Sequence, residues 1–344
     1  MDVVIGVDSH KRSLAAAVVD ALGALLEERE FQNSPKGHLA LLAWLRTHQG
    51  DRRIGIECSG SYGAKLASCL LEAGEDVREV PTSHAHRERR RKRAAGKSDP
   101  VDAVAIARVA AREADLSSPK RSPHLGELKL LCDYRDQLTR TRTQITNRLH
   151  IDLVIAHPEY SQRIPNLRAK KHLVAARQLV RGDHSVRAEL IRTRISEISR
   201  LNLKMADVEK QIEERVAKLG TGLTSVPGVG PFIAAKILGE VGDISRVRSK
   251  ASFALLSGTA PLPASSGSTT RHRLNRTGNR QLNWALHFVA LAQQRVSPEA
   301  QAYMARQREM GKSYKEGVRC LKRHLSNVIY RELMKDQARA DIAA

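Results

Sequence analysis

The sequence predicts a mixed chain: an α/β domain first, a long helical middle, and a mainly α-helical end. Three observations carry this. Short β-branched runs alternate with helix-length segments through Val80. Apolar residues then recur every seven positions over two long stretches. Ser/Pro- and Gly-containing breaks separate the parts. At 344 residues the chain has room for two or three domains, each with its own core, and the expected boundaries are 1–120, 121–220 and 221–344.

Val3-Val4-Ile5-Gly6-Val7-Asp8 is the first strand. A buried strand ending in a carboxylate puts a charge at the rim of a sheet, where a divalent ion would hold it; the alternative is that Asp8 caps a turn. Arg12–Asp20 and Leu25–Phe31 continue as two more strands. Ser34 as N-cap and Pro35 at the first helical position open a helix with Leu39, Leu42, Trp44 and Leu45 on its apolar side. Arg53–Glu57 is the next strand, again ending in a carboxylate. A helix through Leu66 and Leu70 stops at Gly74, and Val77–Val80 closes the sheet.

Composition then changes. Seven of the eleven residues from Arg87 to Lys97 are Lys or Arg. Such a run is commonly a solvated face; its place just before two aspartates favours a nucleic-acid contact by Arg89, Arg90, Arg91, Lys92 and Arg93. Asp99-Pro100-Val101-Asp102 opens a helix and is also a good cap, with Pro at N1 and an acid at N3. Asp99 and Asp102 stand three apart at a helix start and can point to one place. With Asp8 and Glu57 they make four acidic groups, a set suited to one or two hard divalent ions.

Ala114–Pro123 is the expected linker. Leu128, Leu131, Leu138, Ile145 and Leu149 then mark a long helix, and Ile191, Ile198, Met205, Ile212 and Leu219 a second one over 186–219. This seam argues for a coiled coil, with packing inside one globular domain as the alternative. The helices pair with each other, with a second subunit, or both. Leu223–Pro231 resembles a helix-hairpin-helix turn, whose glycines would offer N–H groups to a phosphate; a plain turn is the equal alternative. A Ser/Gly loop at 264–268 follows, and Arg271, Arg273, Arg276 and Arg280 come within fifteen residues of it. A loop of that kind is usually a linker; here the arginines would hold a phosphate against a serine hydroxyl.

The charge balance points the same way. Lys+Arg number 58 against 37 Asp+Glu, a net +21, which calls for a polyanionic partner. Aromatic residues are only 3% of the chain, too few for a base-stacking platform. No apolar run reaches the ~18 residues of a membrane span, and no signal peptide is expected. Cys58, Cys69, Cys132 and Cys320 have no zinc spacing and are expected to be reduced cytosolic thiols.

Gly6-Val7-Asp8, Ile56-Glu57 and Lys97-Ser98-Asp99-Pro100-Val101-Asp102-Ala103 are followed by Val226-Pro227-Gly228-Val229-Gly230. Gly258-Thr259-Ala260-Pro261, Ser265-Ser266-Gly267 and Thr277-Gly278-Asn279-Arg280 complete the series. In this order, over nearly the whole length, the chain resembles the DEDD transposases of the insertion-sequence-110 family, bridge-RNA-guided recombinases related to the pilin-gene inverting recombinase. The resemblance implies an α/β RuvC-like (ribonuclease-H-like) nuclease domain with Asp8, Glu57, Asp99 and Asp102 as catalytic, Mg2+-binding tetrad. It also implies a coiled-coil middle and a C-terminal transposase domain with a nucleophilic serine, placed at Ser266 with Ser265 as the alternative. Donor and target DNA, a noncoding RNA, homodimers or homotetramers, and a cytoplasmic, nucleoid-associated location complete what it implies. Two other classes stay open: a hydrolytic RuvC-like nuclease or junction resolvase, and a non-catalytic nucleic-acid-binding protein. Sugar-kinase or actin-like ATPases also start from a strand-borne aspartate, but the phosphate-holding glycine and threonine after it are missing.

Overall fold

Val3–Ser9 (β1) is the central strand of a five-stranded sheet because its apolar residues are buried on both faces. The computed structural model describes residues 3–57, 61–91, 99–114, 116–119, 123–263, 272, 273, 275 and 278–343. The chain divides into two units, Met1–Arg121 and Ser122–Ala344.

In the first unit β2 (Ser13–Asp20) runs antiparallel to β1, with Asp8 opposite Ala15, and β3 (Leu25–Gln32) runs antiparallel to β2. α1 (Pro35–Leu45) starts as expected, Ser34 Oγ accepting from the Gly37 N–H at 3.2 Å. Leu39 is exposed, however, and Leu41 takes the buried place expected of it. β4 (Arg52–Ile56) returns parallel to β1, and α2 (Ala64–Glu72) leads to β5 (Asp76–Glu79), parallel to β4. The strand order is β3-β2-β1-β4-β5. The basic run enters a helix, α3 (Thr82–Arg91), which packs beside α4 (Asp99–Arg112).

Strand alternation sends Ile5 and Val7 into one core with α1 and α2. Val4 goes into the other, with Ala85 of α3 and Ala103, Ile106 and Ala107 of α4. Leu116, in the expected linker, is buried in that second core. Gly6 is what lets α4 lie on the sheet: a Cβ there would collide with the Ala103 carbonyl oxygen and the Ala107 backbone nitrogen.

The second unit is helical: α5 (Pro123–Ala156), α6 (Tyr160–Arg163), α7 (Lys170–Leu179) and α8 (Val186–Leu219). α5 and α8 lie antiparallel, because their partners run in opposite order along the two helices. Glu127 meets Arg215 at 3.3 Å, Arg135 meets Glu209 at 2.8 Å, Arg142 meets Asn202 at 2.9 Å, and Asp152 meets Arg194. One half of this pair (Leu149, Leu153, Ile191, Ile195, Ile198) buries its seam against α6 and α7. The other half (Leu128, Leu138, Met205, Ile212) shares a core with α9 (Pro231–Val241) and the helices after it. Those are α10 (Lys250–Leu256), α11 (Arg280–Val296), α12 (Pro298–Glu309) and α13 (Tyr314–Ala343). Between α10 and α11, β6 (Leu262–Pro263) pairs antiparallel with β7 (His272–Arg273). Among the described residues no helix is long and apolar enough to cross a membrane.

Candidate active site

Parity along the strands puts the carboxylates on one face. Asp8 continues the Val4-Gly6 side of β1, the side covered by α4. Gly55 of β4 faces Ala110 and Ile106 of α4, so Glu57, two residues on, continues toward the same side. The Glu57 N–H donates to the Val7 carbonyl at 3.2 Å, which extends the β1–β4 ladder to the level of Asp8. Asp102 precedes Ala103, the residue seated over Gly6. Asp8, Glu57 and Asp102 are all buried, 6–8% exposed, at one end of this sheet. Asp99 is the first residue of α4; its side chain lies outside the described residues.

Each of two carboxylates faces a cationic or potentially cationic group. Asp102 Oδ2 pairs with Arg89 Nη1 at 2.5 Å, and Asp8 Oδ2 lies 3.2 Å from His10 Nε2. Asp102 Oδ1 is buried with no hydrogen-bond partner among the described residues. Hard oxygen donors and one orphaned carboxylate oxygen fit a divalent cation in kind. Among the described residues no three carboxylate, imidazole or thiol groups close around one point; Asp102 is turned to Arg89 instead.

The sequence pattern marks neither Arg89 nor His10 as a partner of these acids. His10 had a signal, two residues past Asp8 in the turn between β1 and β2, where its N–H donates to Ser13 O at 2.9 Å. Arg89 had none, because only the antiparallel packing of α3 on α4 brings it to Asp102. That packing is set by Glu88–Arg112 at 2.6 Å and His84–Glu113 at 2.8 Å.

In the second unit Ser265, Ser266, Arg271 and Arg276 lie outside the described residues, as do Lys92 and Arg93 in the first. The same holds for the side chains of Arg90, Arg91 and Arg273. The flanks of the serine segment are described. It joins β6 to β7, with Leu262 opposite Arg273.

Both arms are tied to the carboxyl end of α10, whose last carbonyls lack helical partners. Thr259 N and Ala260 N donate to Ala254 O at 2.8 and 3.0 Å, and Asn279 N donates to Leu256 O at 2.6 Å. Gly278 packs so closely on Gly258 that a Cβ would stand 2.8 Å from Leu255 O and collide with Gly258 N. Asn279 Oδ1 caps α11 by accepting from Gln281 N and Leu282 N at 2.9 and 3.0 Å. Arg280, the next residue, is exposed.

Asn283 donates to the carbonyls of Ser257 and Gly258 at 2.8 and 3.0 Å, and it accepts from Lys322 Nζ at 2.7 Å. Burial pushes the Lys322 ammonium down to about 8. It also lowers His287, as does the Lys322 charge. The glycine turn before α9 docks on α11: Gln293 donates to Pro227 O at 2.8 Å, while Gly230 at the helix start stays exposed.

These two regions coincide with known sequence families. Residues 5–158 match the transposase family DEDD_Tnp_IS110, and residues 221–305 match the Transposase IS116/IS110/IS902 family. The 44.8 kDa protein of insertion element IS116 from Streptomyces clavuligerus is 26% identical over 89% of this chain and 88% of its own length. The 42 kDa protein of insertion element IS900 from Mycobacterium paratuberculosis is 24% identical over 97% and 96%. The pilin gene-inverting protein of Moraxella bovis is 23% identical over 95% and 94%. Among solved structures, T. thermophilus RuvC in complex with a Holliday junction substrate has 20% identity and a TM-score of 0.25, covering 31% of this chain and 90% of that one. With both family matches in chain order and relatives spanning nearly its full length, the chain carries transposase domains of the IS110/IS116/IS902 family.

Proposed function

We propose that this transposase cuts and rejoins DNA through a phosphoserine intermediate, with Asp8, Glu57, Asp99 and Asp102 as ligands of Mg2+ and Ser266, or Ser265 beside it, as nucleophile. The observation that supports it most is the set of three buried carboxylates at one end of the sheet, one oxygen of which has no partner among the described residues. A bound magnesium pair would stabilise the attacking and leaving oxygens of an in-line displacement.

The serine oxygen would form a bond to phosphorus as the strand's own P–O bond breaks. The hydroxyl proton leaves and the released strand oxygen gains one. The phosphodiester energy is kept in the protein–DNA link, so strands are resealed without ATP. Exposed Arg280, with Arg271, Arg273 and Arg276, would neutralise the phosphate. Arg90, Arg91, Lys92 and Arg93 would contact the nucleic-acid backbone, and Arg89 would join them once free of Asp102.

A noncoding guide RNA, a coiled-coil role for α5 and α8 in dimers or tetramers, a three-part division at 120 and 220, and a nucleoid-associated location belong to the same reading. The reaction is tested by trapping it in denaturant with wild type, Ser265→Ala, Ser266→Ala and the double variant. DNA-shifted protein should vanish with Ser266→Ala. Its loss in Ser265→Ala alone moves the nucleophile by one residue. Unchanged strand cleavage in the double variant overturns the serine reaction in favour of hydrolysis.

A further inference from the structure

We propose that Arg89 is the built-in counter-cation of the carboxylate cluster: its guanidinium holds Asp102 when no divalent ion is bound and competes with that ion for the carboxylate. This rests on the reading of Asp8, Glu57, Asp99 and Asp102 as cation ligands.

The Asp102 side chain is only 9% exposed, and an ionised carboxylate at that depth needs an opposite charge. Arg89 supplies one, its own side chain 23% exposed. The pair is one-armed. Arginine and carboxylate favour two parallel hydrogen bonds, yet Nη1 engages Oδ2 at 2.5 Å while Oδ1 is left with no hydrogen-bond partner among the described residues. One oxygen is therefore charge-compensated and the other still open to a ligand.

Arg89 is also placed by the fold. Glu88, its neighbour in sequence, is anchored to Arg112 at 2.6 Å, and His84 one turn earlier to Glu113 at 2.8 Å. α3 is thus pinned to α4, with its last turn beside the helix start that carries Asp102. Arginine keeps its charge at every working pH. Its hold on Asp102 is relieved by a competing cation or by a competing anion, and a phosphate of the nucleic acid is such an anion. Through this one side chain, cation loading and phosphate binding would each favour the other.

The test uses Mn2+ as the probe, with the whole chain free of nucleic acid, and compares wild type, Arg89→Gln, Asp102→Asn and the double variant Arg89→Gln/Asp102→Asn. Binding is followed by the paramagnetic resonance of free Mn2+, and melting temperature is measured in EDTA and in Mn2+. Arg89→Gln should bind Mn2+ roughly fivefold or more tightly than wild type. It should melt lower in EDTA and gain more from Mn2+. The double variant, with neither charge, should recover the EDTA melting temperature and lose the Mn2+ gain. Equal or weaker Mn2+ binding by Arg89→Gln overturns the proposal, as does a double variant no more stable in EDTA than Arg89→Gln. Should neither wild type nor Arg89→Gln bind Mn2+ at a site that Asp102→Asn abolishes, the ligand reading itself falls.

Discussion

Asp102 is read differently in the sequence and in the fold. At the start of α4 it reads as a helix cap from sequence, and in the fold it is a buried carboxylate turned to Arg89. Asp8→Asn and Asp102→Asn each remove an ionic ligand but little volume. Both should abolish strand cleavage while far-UV circular dichroism and most nucleic-acid binding persist. Unfolding of both would favour the capping role. These acids were legible in the sequence because strand ends and helix starts are local features; their counter-charges were not, because Arg89 arrives from another helix.

Lys322 is a second residue found only in the fold, 7% exposed and held by Asn283. Burial lowers its pKa from 10.5 to about 8. Between those values the unfolded chain binds more protons than the folded one. Stability from this group therefore rises with pH across that window, by at most about 1.4 kcal/mol per pH unit. Lys322→Met, neutral at every pH, lacks the rise. Wild type should gain on the variant between about pH 8 and 10.5 in paired thermal melts. A constant difference would mean that the lysine is not held as a strained charge.

At the scale of elements, the seven-residue seam predicted α8 over 186–219, and the helix occupies that range with Ser185 and left-handed Gly220 as its caps. The period left the partner open. Here the partner is α5 of the same chain, shown by the opposite order of their paired side chains along the two helices. Ile212 is fully buried at the crossing with the C-terminal core, and Leu203 is 74% exposed. Ile212→Ala should cost about 2–5 kcal/mol, and Leu203→Ala within about 0.5 kcal/mol of zero, by chemical denaturation. A large loss at Leu203 would reveal a second packing face, such as one used between subunits.

Over the whole molecule the excess of 21 positive charges outweighs any single contact. If Z phosphates are neutralised, log affinity for duplex DNA should fall with log salt at a slope near ~−0.9Z. A nearly flat dependence would sink the phosphate reading of the basic run and of the arginines after the serine segment. Cys132 belongs to this scale too. Burial pushes its thiol up to about 12, which makes it a packing residue of the helical core rather than a reactive one.

The sequence by itself determined the α/β class of the first part and the helical class of the rest, the order of strands and helices through β5, the span of α8, the strand ends that bear Asp8 and Glu57, and the family, because patterning, caps and motifs are written within short stretches. α3 and the β6–β7 pair emerged only in the fold. The tertiary structure decided which distant groups meet. α4 lies on β1 because Gly6 has no side chain, and α3 is held on α4 by the Glu88–Arg112 ion pair and the His84–Glu113 contact. The arms of the serine segment close on the end of α10 because its carbonyls need donors from residues as far on as Asn279 and Asn283. Such pairings depend on which faces are buried against each other, and a linear pattern records only that a face is apolar.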